Sequence, residues 1–106
     1  MSVDILVFDG DGIGPEIMSS TLAIIELLNT KLILNINLKK EILGFELLNQ
    51  KGVTFTDDLL LKSKEADGII LGPVDHNDYP SISRGGINPS AKFRIELDLY
   101  SNIRPA

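Results

Sequence analysis

The 106-residue chain contains no cysteine, which excludes a disulfide framework, a metal centre built on thiolates and a thiol nucleophile. Histidine is nearly absent as well. The single imidazole, His76, stands in a stretch of proline, aspartate and asparagine, and a lone ring without a third ligand or a nucleophile beside it is a poor basis for metal or acid/base chemistry. Apolar runs stop at four residues or so, far short of the ~20 that span a bilayer. Positive charge is also scarce: 10 Lys and Arg stand against 15 Asp and Glu, a net charge of -5. That balance excludes a general grip on nucleic acid or on an anionic membrane surface. The opening MSVDILVFDGDG has neither the basic start nor the small-residue cleavage site of a secretory signal, so a cytoplasmic location is expected. Repeats, low-complexity tracts and linkers are missing too, and residues 1–106 read as a single unit.

What is present is unevenly distributed. The first thirty residues hold Asp4, Asp9, Asp11, Glu16 and Glu26 and no base, whereas residues 81–106 hold Arg84, Lys92, Arg94 and Arg104 against Glu96 and Asp98. A basic end on an acidic chain points to a local anion site rather than a polyanion surface. The hydrophobic run over residues 3–8 reads as a buried strand feeding the Gly-rich DGDGIGPE. Pro15 and Glu16 suit the start of a helix carrying Met18, Leu22, Ile25 and Leu28, widened by Ile17, Ile24 and Leu27, and ending at Asn29 or Thr30.

The alternation of Leu32, Leu34, Ile36 and Leu38 with less apolar residues predicts a strand over 32–38 with one buried face. Residues 42–50 fit no single period, and Gly52 marks a turn before Val53 to Phe55. Thr56 is placed to cap a helix over 57–64, with acids in its first turn and Lys62 and Lys64 in its last. Residues 68–72 form a second short buried strand. This order of strands and helices predicts an α/β fold in three layers, with right-handed crossovers and a mostly parallel sheet. The long irregular stretch 73–89 then lies at the C-terminal edge of a parallel strand, where open α/β sheets bind ligands. A helix over 90–100, capped by Ser90, follows it.

Three candidate groups emerge. Gly10, Gly12 and Gly14 lie between a strand and a helix, where backbone amides can face an anion, and Gly12, Ile13 and Gly14 are the candidate cofactor residues. The G-x-G-x-G spacing is not the dinucleotide fingerprint G-x-G-x-x-G, and Asp9 and Asp11 would repel a phosphate, so a purely structural turn is the competing reading. Arg94 and Arg104 carry planar guanidinium groups that grip carboxylates through paired hydrogen bonds. Surface pairing of Arg94 with Asp98 and of Lys92 with Glu96, at i,i+4, competes with that clamp. The Ser90 hydroxyl, besides capping, is within reach of a ligand beside Arg94.

Taken together, DGDGIGPEI (9–17), ADGIILGPV (66–74) and FRIELDLYSNIRPA (93–106), in that order and spacing, resemble the isocitrate and isopropylmalate dehydrogenase family. The resemblance runs the length of the chain, and the chain corresponds to about the first third of a family member, the N-terminal portion of its first domain. It implies a metal-dependent oxidative decarboxylase that uses NAD or NADP and Mg2+ or Mn2+ to oxidise a hydroxy-dicarboxylate or tricarboxylate. It implies the isopropylmalate dehydrogenase-like sheet, not a Rossmann fold, here incomplete.

By the same resemblance, Arg94 and Arg104 hold the malate-type carboxylates of the substrate, and the segment of Ile87, Asn88, Ser90 and Ala91 reads its variable part. Asn88 and Ser90 match neither the isopropylmalate pattern, a leucine pair near Ser90 and Ala91, nor the isocitrate pattern, serine at Asn88 and asparagine at Ser90. The metal-binding aspartates and the tyrosine and lysine that move protons belong to later segments of the family. The 106 residues alone are therefore expected to lack catalytic and metal-binding residues, to bind no cofactor tightly and to be inactive. Part of a parallel sheet without its full cover is expected to pair with itself as a homo-oligomer. A non-catalytic carboxylate-binding or interaction module on the same fold is the alternative.

Overall fold

A computed structural model of the chain describes residues 2–97. Three parallel strands, β1 (Val3–Phe8), β2 (Ile36–Glu41) and β3 (Gly68–Leu71), lie in the order β2-β1-β3. The register sets Val3 opposite Ile36 and Phe8 opposite Glu41 on one side, and Ile5 opposite Gly68 and Phe8 opposite Leu71 on the other. The connection from β1 to β2 carries helix α1 (Gly14–Leu32); that from β2 to β3 carries α2 (Phe45–Lys51) and α3 (Asp57–Glu65) and passes to the far side of β1. Because the two crossovers run in opposite directions and right-handed connections are the rule, α1 lies on one face of the sheet and α2 and α3 on the other. The three-layer, parallel α/β arrangement follows.

Side-chain alternation along β1 divides its residues between those layers. Leu6 and Phe8 enter a buried cluster with Leu43, Leu47, Phe55, Leu59 and Phe93, the last from α4 (Pro89–Glu96). Phe93 is its hub, with ring centroids 5.4 Å from Phe8 and 5.2 Å from Phe55. Val7, fully buried, points to the opposite face, the side of α1. That helix covers the sheet with Met18 and, less deeply, Leu22 and Ile25. The expected widening of the stripe is not buried, since Ile17, Ile24 and Leu27 remain exposed, and Leu28 of the narrower stripe is exposed as well.

The boundary between α1 and β2 departs from the alternation pattern. α1 continues through Leu32, Ile33 ends it in the left-handed region at φ 53, and β2 starts only at Ile36. The cause is Asn29, whose side-chain amide donates to the Ile36 carbonyl (3.1 Å) and accepts from the Ile36 N–H (2.9 Å). It pairs with the first strand residue as a neighbouring strand would. Leu32 therefore belongs to a helix, and of the expected strand 32–38 only residues 36–38 are in β2.

Elsewhere the local rules hold. Thr56 caps α3, its hydroxyl accepting from the Leu59 N–H at 3.2 Å, and Lys62 joins α3 to β2 through Glu41 at 2.9 Å and meets Asp58 at 3.4 Å. Residues 42–50, which fit no single period, resolve into α2 between Gly44 and Gly52, both at positive φ. α4 is capped by Asn88 rather than Ser90: the Asn88 Oδ1 accepts from the N–H groups of Ser90 (3.1 Å) and Ala91 (3.4 Å). Pro89, with no N–H to leave unsatisfied, fits the first helical position. α4 ends at Glu96 with Leu97 as its cap, short of the expected helix over 90–100, of which residues 98–100 lie outside the described residues.

Candidate functional site at the C-terminal edge of the sheet

In the order β2-β1-β3 the chain leaves β1 toward one side and reaches β3 on the other, so the crevice beyond their C-terminal ends is a topological switch point. Two segments meet there, the Gly-rich turn 9–14 and the loop after β3. They are very close. A Cβ on Gly14 or Gly72 would overlap the Asp9 carbonyl, and the Asp11 N–H donates to the Pro73 carbonyl at 2.7 Å. These glycines serve close backbone approach, the structural reading of the turn.

Of the three candidate cofactor residues, Gly14 is buried at the start of α1, while Gly12 and Ile13 face outward, Ile13 with 63 % of its surface exposed. The α1 N-terminus has no side-chain cap. The Asp9 Oδ1 is buried and has no hydrogen-bond partner among the described residues, while its Oδ2 lies 3.5 Å from the Lys40 Nζ. Ile13 offers an exposed apolar surface and the Asp9 Oδ1 an acceptor without a partner among the described residues, features that suit the carboxamide-bearing ring of a nicotinamide cofactor. The phosphates are a different matter. Asp9, Asp11, Glu16 and Asp75 surround the turn with carboxylates, and like charges at such range repel.

Asp11 is the residue whose role the spacing did not reveal. Its carboxylate is buried and turned inward, accepting at Oδ1 from the Phe45 N–H (2.8 Å) and at Oδ2 from the Asp75 N–H (3.0 Å) and the Tyr79 hydroxyl. The Tyr79 phenol is pushed well above its ordinary range, first by burial and then by the hydrogen bond to the Asp11 carboxylate. Its ring stands edge-on to Phe45 at 4.9 Å. Thr54, also buried, is a second such residue. Its hydroxyl donates to the Ile87 carbonyl (2.6 Å) and accepts from the Ile87 N–H (2.8 Å). These partners lie between 33 and 68 residues away in sequence, a separation at which no periodic or capping pattern operates.

The anion candidates sit on α4. Arg94 is exposed, its Nε donates to the Ser90 carbonyl at 3.4 Å, and among the described residues it forms no ion pair. The competing surface pair Lys92–Glu96 is formed at 3.5 Å; Asp98, the proposed mate of Arg94, lies outside the described residues, as does Arg104. The Asn88 oxygen is occupied by capping, and Ser90 is half-buried behind it. His76 is exposed in a single 3-10 turn, His76–Asp78. Among the described residues no three side chains of His, Asp or Glu come together as metal ligands.

Comparison with known proteins gives a consistent result. The family described as isocitrate/isopropylmalate dehydrogenase matches residues 4–106. The chain is 38% identical over 109 residues to the 3-isopropylmalate dehydrogenase of Pseudomonas putida, matching 100% of this chain and 30% of that protein. It is 34% identical over 105 residues to that of Ruegeria pomeroyi, 96% of this chain and 28% of the relative. The chain thus spans about 30% of the length of the curated relatives it matches. A crystal structure of a beta-decarboxylating dehydrogenase from Thermococcus kodakarensis superposes with a TM-score of 0.72 at 20% identity, over 92% of this chain and 27% of that one. That likeness concerns the fold.

Proposed function

Because the chain belongs to the isocitrate and isopropylmalate dehydrogenase family, we propose that it forms the substrate-carboxylate side of an NAD(P)-dependent oxidative decarboxylase. The substrate is a hydroxy acid of the 3-isopropylmalate or isocitrate type. The observation that carries this reading is Arg94: an exposed guanidinium with no ion pair among the described residues, fixed by a capped helix at the ligand edge of a parallel sheet. In this reading Arg94, with Arg104, holds the malate-type carboxylates, and Asn88 and Ser90 shape the start of α4 beside them. Gly12 and Ile13 meet the nicotinamide ring. When bound, the cofactor supplies the hydride acceptor and a divalent ion supplies polarisation of the substrate hydroxyl. The described residues bind and orient.

The experiment is a malate titration of the 15N-labelled chain. The Arg94 Nε resonance should shift in a saturable manner, with about millimolar affinity expected for a partial site. Arg94→Ala should abolish the response, and Arg94→Lys should weaken it about tenfold, since a point charge does not replace a two-pronged donor. Strong shifts at His76 with a silent Arg94 would contradict the assignment.

A further inference from the structure

The turn proposed to meet the cofactor and the helix proposed to hold the substrate are joined by a hydrogen-bonded path that runs through the protein interior. It starts at Asp11, whose Oδ1 accepts from the Phe45 N–H at the start of α2. The adjoining Gly44 N–H donates to the Thr54 carbonyl at 2.8 Å. From Thr54 the path leaves by the hydroxyl bonds to both backbone groups of Ile87 and by the Thr54 N–H to the Gly85 carbonyl at 3.0 Å. Ile87 precedes Asn88, the cap of α4. A second branch grips the loop after β3 on both sides of the His76–Asp78 turn, because Asp75 and Tyr79 both donate to the Asp11 Oδ2.

Two features show how closely the structure is fitted to this path. Gly44, at φ +71, has no space for a side chain: a Cβ would overlap the Asp11 Oδ1 and stand 2.7 Å from the Tyr79 hydroxyl. Asp11 uses both carboxylate oxygens, its N–H and its C=O, the last accepting from the Gly14 N–H at 2.9 Å. An amide at this position would retain one acceptor and bring donors toward N–H and O–H groups that need acceptors. We propose that Asp11 and Thr54 are positioning residues. Together they set the spacing between the Gly-rich turn and α4, so that a nicotinamide ring on the one and a hydroxy-dicarboxylate on the other are held in fixed register. The proposal rests on the functional reading above. Its physical content is that a ligand at α4 is felt at the turn through Thr54 and Asp11.

The test uses the 106-residue chain with malate as probe and compares Thr54→Val, Thr54→Ser and Asp11→Asn. In the wild-type chain, malate should shift the amides of Gly12, Ile13 and Gly14 along with the Arg94 side chain. Thr54→Val should leave malate affinity at Arg94 within about threefold and abolish the response of the turn, and Thr54→Ser, which keeps the hydroxyl, should restore it. A purely structural threonine would not separate the two responses. An equal response of the turn in all variants would overturn the proposal, as would an Arg94 response in the wild type with a silent turn. Silence at Arg94 in the wild type would count against the functional reading alone. Hydrogen exchange without ligand then decides the path: Asp11→Asn should accelerate exchange at Thr54 and Ile87 by about tenfold or more. Acceleration confined to the direct donors Phe45 and Asp75 would refute it.

Discussion

Phe93→Ala should destabilise the chain by about 3–5 kcal/mol, the usual cost of deleting a buried aromatic ring, read as a drop in the urea midpoint. Phe93 is 4% exposed and bridges Phe8 of the central strand to Phe55. Deleting it opens a cavity against β1, the strand with a partner on both sides, where little relaxation is available. A stability of about 5–15 kcal/mol for a domain leaves little margin for such a loss. Since Phe93 fixes α4 to the core and Arg94 is the next residue, carboxylate binding at Arg94 should weaken in parallel. Phe93→Leu should be milder in both measurements, and a loss below about 1 kcal/mol on Phe93→Ala would mean that the cluster is not packed as described.

Gly14→Ala should destabilise even though helix propensity favours alanine over glycine by about 1 kcal/mol. Gly14 opens α1 at a φ that any residue adopts, so the backbone itself raises no objection. The obstacle is the Asp9 carbonyl oxygen, which a Cβ would overlap. Since that oxygen belongs to backbone held at the end of β1, the turn must move, at a cost of about 1–3 kcal/mol or more. Gly68→Ala provides the contrast. The nearest atom to its Cβ is the Ile5 Cγ1 at 3.9 Å, an ordinary contact, and the smaller entropy of the unfolded chain should stabilise it by about 0.4–1 kcal/mol. Opposite signs in the two urea midpoints are expected; a gain for both would show that the turn has room to spare.

Where sequence and structure agree, a local rule was at work. β1, β3 and α3 follow from an apolar run ending in glycines, a second such run, and a threonine cap followed by acids and then lysines. Where they part, the deciding bond is made at a distance. Asn29 moved the start of β2 by pairing with Ile36, and no period distinguishes a leucine ending a helix from one starting a strand. Asn88 displaced Ser90 as cap because both carry a suitable oxygen and only the entry angle of the loop selects between them. Arg94 was singled out as a candidate by its residue type and motif. Asp11 and Thr54 were not, since their meaning lies in partners brought together only by the folded sheet.

The apolar residues left bare on α1 have a thermodynamic consequence. Ile13, Ile17, Ile24 and Leu28 follow at spacings of four, seven and four residues, so they line one flank of the helix, and Leu32 and Ile33 continue the exposed surface at its end. Whatever covers such a strip, another copy of the chain included, binds the folded form and loses its surface when the helix melts. By mass action its free energy of binding is added to that of folding. Where the cover is a second copy, the melting temperature of this chain becomes a function of protein concentration, and a value quoted at one dilution describes that dilution only.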